Sequence, residues 1–172
     1  MIDTEELKKE IKEAFKDVDF PSHCGILAAE AMDDWISDPA ILRKLTKEKD
    51  FSGKWWNIPE EHISGNSLGF NYLDSAGVLY YLPAFMLLAI EKPIYKNLST
   101  LVYELSPTVE LEPDDEGLYL HFCDKFSKIT GSKRNVCIKF MYFLQEKLST
   151  VSPLDAEDVK KTIKHEYWCE HS

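Results

Sequence analysis

Residues 76–90 read AGVLYYLPAFMLLAI, about four helical turns without a charged or amide side chain. A surface helix shows an apolar stripe and a polar face, whereas a helix apolar all round must be covered on every side. The stretch therefore marks the centre of the molecule. Asp74 or Ser75 supplies the N-cap, since a short side-chain oxygen there accepts from the first unpaired backbone amides. At about 1.5 Å per residue the stretch falls well short of a roughly 30 Å hydrocarbon layer, which excludes a membrane span. Pro83 removes the bond to the Leu79 carbonyl and crowds that group, so a kink or break near residues 79–82 is expected.

Outward from this centre the pattern is helical in both directions. Thr4 is read as the N-cap of a first helix over about residues 4–17, with Leu7, Ile11, Ala14 and Phe15 on its apolar face. Pro21 and Ser22 end it, and Ile26, Ala29, Ala31, Met32 and Trp35 mark a second helical stretch ending near Ser37. Asp38-Pro39 is a helix start, because the proline lacks an N–H that would be unpaired there anyway. A short third helix follows, over about residues 39–48. Beyond the centre, Pro93 opens a helix with the stripe Ile94, Leu98, Leu101, Val102 and Leu105. Further helices are expected over 118–129 and 133–148, and after Ser152-Pro153. No alternating run supports a sheet. The expected fold is all-α, a single domain over residues 1–172 with about seven or eight helices around the central buried, proline-kinked one.

Composition narrows function by exclusion. Thirty acidic against twenty basic side chains give a formal charge of −10 over 172 residues. Phosphate backbones and anionic lipid surfaces repel such a surface, so nucleic-acid and membrane partners are not expected. Cys24, Cys123, Cys137 and Cys169 are widely spaced and the chain opens with charged residues, which fits reduced thiols in a cytoplasm. A core of this size folds without disulfide or metal staples, and no cofactor is expected.

Three motifs bear on chemistry. Gly65-Asn66-Ser67-Leu68-Gly69 matches the G-x-S-x-G elbow, but that motif needs a preceding strand to strain its serine, and residues 59–64 read as a helical turn. His165 and Cys169 stand at i and i+4, the spacing of two zinc ligands on a helix, with His171 beyond. A third ligand would have to come from His23, Cys24, His121 or Cys123, and a terminal helix packed through Trp168 is the simpler reading. The aromatic pairs Trp55-Trp56 and Tyr80-Tyr81 read as core anchors, the tyrosines with their hydroxyls at the core's edge.

Ala14-Phe15, Asp17-Val18 and Pro21, then Trp56, Ile63, Leu68 and Tyr72-Leu73, and above all Tyr80-Tyr81-Leu82-Pro83-Ala84-Phe85 carry a family resemblance. With Phe140, Phe143 and Leu144 in a late helix, the chain resembles an uncharacterised bacterial family, a domain of unknown function. The resemblance implies a bacterial, cytoplasmic protein and assigns no activity, cofactor or catalytic residue. Residues 107–117 and the last dozen positions stand outside it. In the first of these, Glu110, Glu112, Asp114, Asp115 and Glu116 form an acidic connection suited to a basic protein partner. The expectation is a non-catalytic acidic binding module of the immunity or adaptor kind. The alternative is a small hydrolase or a metal-dependent enzyme.

Overall fold

In a computed structural model, residues 2–64, 67–107 and 116–169 are described, the side chains at 67, 68 and 116 excepted. All regular structure among them is helical. The helices are α1 Thr4–Ala14, α2 Ile26–Ala29, α3 Pro39–Lys49, α4 Glu60–Ser64, α5 Ser67–Asn71, α6 Ser75–Glu91, α7 Tyr95–Leu105, α8 Glu116–Lys125, α9 Ser132–Leu148, α10 Pro153–Lys164 and α11 Glu166–Cys169. Short 3₁₀ turns lie at Glu30–Met32 and Trp55–Asn57.

Helix α6 is the axis of the fold, as its sequence requires. Asp74 caps it, its carboxylate accepting from the amides of Ala76 at 3.1 Å and Gly77 at 2.9 Å. Every residue from Tyr80 to Ile90 is buried, against α1, α4, α5, α7, α8 and the Trp55–Asn57 turn. Pro83 does not break the helix, which runs uninterrupted from Ser75 to Glu91. An interior proline costs about 3 kcal/mol, and burial of its neighbours on all sides outweighs that here. Around this axis α9 packs along both α1 and α10, while α2, α3 and α5 form a smaller group at the amino-terminal side.

Several helix boundaries differ from the sequence reading. Asp3, not Thr4, caps α1, its carboxylate accepting from Glu5 N at 2.9 Å and Glu6 N at 3.1 Å, and Thr4 becomes the first helical residue. The charged acceptor is the better cap for amides at a helix's positive end. Helix α7 begins at Tyr95 rather than at Pro93. Helix α1 also ends early, at Ala14, and α8 stops at Lys125 instead of reaching Ile129.

The largest departure is at the second helical stretch. Helix α2 covers four residues, tightens into the Glu30–Met32 turn and stops. The amide of Ile36 donates to the Ala31 carbonyl and that of Trp35 to the Met32 carbonyl, each at 3.1 Å. This is the paired hydrogen-bond pattern of a Schellman cap, which places Trp35 where glycine normally stands. Its φ is +62°, the one positive value at a non-glycine residue among those described. A side chain in that region costs about 1–2 kcal/mol. Read from periodicity as part of an apolar face, Trp35 is instead 94% exposed.

Helix α2 carries no cap of its own at Gly25, and the missing acceptor comes from Asp50. The Asp50 carboxylate takes the amides of Leu27 at 2.8 Å and Ala28 at 3.1 Å, and the Tyr81 hydroxyl at 3.2 Å. Burial pushes this carboxyl up, and the three donors pull against that. A Cβ at residue 25 would fall on the Asp50 carboxylate, which is why glycine is required there. Tyr80 donates to the Gly53 carbonyl at 2.8 Å, so both tyrosines hold their rings in the core and their hydroxyls on polar groups at its edge.

Candidate functional site

Helices α7, α8 and α10 each bury one face and leave another around a shared cleft of about 810 Å³. On α7, Leu98, Leu101 and Leu105 enter the core, while Tyr95, Ser99 and Tyr103 recur every four residues and line the cleft. Leu118, His121, Phe122 and Lys125 present one face of α8, and Asp155, Asp158 and Lys161 one face of α10. Such a volume falls within the range of about 300–1,000 Å³ occupied by ligand sites. The rim is aromatic: Tyr95 is 50% exposed and Tyr103 74%.

An ion pair forms the inner wall. Lys125 Nζ donates to Glu104 Oε2 at 3.0 Å, with both side chains at or below 7% exposure, and the ammonium lies 4.8 Å from the centre of the Phe70 ring. Burial pushes the Glu104 carboxyl up and Lys125 pulls it back. Removing either partner would strand a charge away from water. Sequence reading passed over both residues. The signal was a carboxylate and an ammonium set inside apolar runs, Glu104 between Leu101 and Leu105 and Lys125 between Phe122 and Phe126. At the other end the Tyr95 hydroxyl is bonded to Asp155, which raises the phenol above its ordinary range. Asp158 is paired with Lys161 at 3.6 Å.

Of the acidic residues read as partner-binding, Glu110, Glu112, Asp114 and Asp115 lie outside the described residues, and Glu116 enters only as the first residue of α8. Their tether is described. Ser106, just past α7, and Leu118, in the first turn of α8, both line the cleft.

The other candidates separate. Helix α4 precedes the Gly65-to-Gly69 segment, so the strand that an elbow requires is replaced by helix Glu60–Ser64. At the carboxyl end His165 Nδ1 accepts from the Tyr167 amide at 3.1 Å, and Cys169 Sγ lies 3.2 Å from the Ile163 carbonyl. His171 lies outside the described residues. His23 is bonded to Asp74 at 2.7 Å, at the start of α6, while His121 lines the cleft. Among the described residues no group of three or more His, Cys, Asp or Glu side chains is arranged to hold a metal ion. Trp168 is buried as expected, donating to the Leu105 carbonyl at 3.0 Å. The Trp55-Trp56 pair divides: Trp55 is fully buried and donates to the Phe15 carbonyl at 2.9 Å, whereas Trp56 is 40% exposed.

Fold and cleft together define an all-α protein with an aromatic, charge-lined groove, in which no helix among the described residues is long and apolar enough to cross a membrane. The chain belongs to a family of unknown function, DUF6714, whose model matches residues 3–172. No curated protein and no solved structure matches it.

Proposed function

We propose that this protein is a non-catalytic binding module that holds a basic protein partner at the cleft between α7, α8 and α10. The observation that carries the reading is the coincidence of two features at one edge. Exposed tyrosines line the rim, and the connection holding Glu110, Glu112, Asp114, Asp115 and Glu116 begins and ends there. Tyrosine supplies large contact area with few rotors to fix, and is enriched where interfaces concentrate their affinity. Acidic residues beside it steer a basic partner in and set its approach rate. Within the cleft Glu104 and Asp158 are paired with Lys125 and Lys161, and Asp155 adds a further carboxylate to the lining. A bacterial cytoplasm suits this reading, because cysteines that form no disulfide, as here among the described residues, stay reduced there.

The test is kinetic. A partner captured from the source cell and identified should associate more slowly as salt rises, and more slowly again when Asp114, Asp115 and Glu116 are changed together to serine. Tyr103→Ala should act differently, weakening affinity about tenfold through faster dissociation. Binding indifferent to salt, to the triple change and to Tyr103→Ala would remove the reading.

A further inference from the structure

Trp35 stands where its side chain does least for the fold. It is the left-handed residue of the cap that closes the Ile26–Met32 helical segment, a position suited to glycine, and its indole is 94% exposed. Both cap hydrogen bonds are made by backbone and do not need the ring. A bulky residue held in a disfavoured conformation with its side chain in water gives the fold nothing in return for the strain, which directs attention to contacts outside the chain.

The surroundings say what that contact is. Between Cys24 and Leu42 the sequence holds Glu30, Asp33, Asp34 and Asp38 and no lysine or arginine. Asp33 and Asp34 are exposed beside the indole in sequence, and the Tyr72 hydroxyl fixes one Asp33 oxygen at 2.7 Å. Tyr72 also lines the cleft, and its bond to Asp33 ties the residue two before Trp35 to the cleft's wall. An exposed indole that follows two exposed carboxylates in the chain suits a guanidinium, whose flat cation stacks on the ring while its edge donates to an acid.

We infer that Trp35 is a second anchor for the partner, taking an arginine from a segment that runs from the cleft past Tyr72. This rests on the reading of the cleft as a binding site, and the experiment separates the two. A phage-displayed library of random peptides is selected on the intact protein. Selected peptides are then measured by calorimetry against the wild type, Trp35→Gly and Tyr103→Ala. The expected peptides carry arginine and lose about tenfold or more in affinity on Trp35→Gly. The same substitution raises Tm by about 2–4 °C, because glycine relieves the cap. Peptides that respond to Tyr103→Ala but ignore Trp35→Gly, or that depend on Trp35 without carrying arginine, overturn the inference and leave the cleft reading standing. A fall in Tm on Trp35→Gly also overturns it, since the indole would then be holding the fold. Failure to enrich any peptide sinks the cleft reading, and the inference with it.

Discussion

Asp50 shows how one side chain can serve a helix it does not belong to. It follows α3 in sequence, yet its carboxylate closes the amino end of α2 and holds the Tyr81 hydroxyl under the central helix. The arrangement depends on Gly25, the only residue type small enough to let that carboxylate approach. Gly25→Ala is therefore expected to displace Asp50 and leave the amides of Leu27 and Ala28 unpaired. With about 1–3 kcal/mol at stake for each buried donor left unmet, a loss of about 2 kcal/mol should appear in urea unfolding. An alanine variant as stable as the parent would mean that the capping contact contributes nothing. None of this was visible from residues 24–30, because an acceptor distant in sequence leaves no mark on the local pattern. What the sequence did display at this scale were caps adjacent to their helices, Asp38 before Pro39 and Asp74 before α6.

Among the elements, α7 and α8 are joined by the buried Glu104 to Lys125 pair. Lys125→Met should cost about 3 kcal/mol, since Glu104 would be left buried without its partner. Replacing both, as Glu104→Leu with Lys125→Met, should recover most of that loss, because well-packed apolar groups of similar volume replace a buried pair at little net cost. Chemical denaturation of the two variants measures it, and a double variant less stable than the single one would show that the pair itself holds the helices together. Helix periodicity identified both elements from their apolar residues. It missed the wall of the cleft, because periodicity scores which residues are apolar and treats a charge in the stripe as noise. The shortened α2 has a related cause. Ile26, Ala29, Met32 and Trp35 keep helical spacing, but a backbone cap at Trp35 ends the segment without the glycine that usually announces it.

Across the whole molecule, the all-α class and the central position of residues 76–90 followed from one uncharged run, whose burial only a helix packed on every side can provide. The cleft did not follow, because it is made by three helices whose exposed faces meet only after folding. The four tryptophans record the same division between interior and surface. Trp55 and Trp168 are sealed in the core, each indole N–H held by a backbone carbonyl, while Trp56 is partly open and Trp35 stands almost wholly in solvent. Emission from the native protein should therefore split into a blue, shielded component and a red one open to collisional quenchers. Because Trp35 is bordered by Asp33 and Asp34, caesium should quench the red component more, and iodide less, than each quenches free tryptophan. Trp35→Gly should remove most of that difference, leaving an unlabelled optical signal that reports on one surface of the molecule.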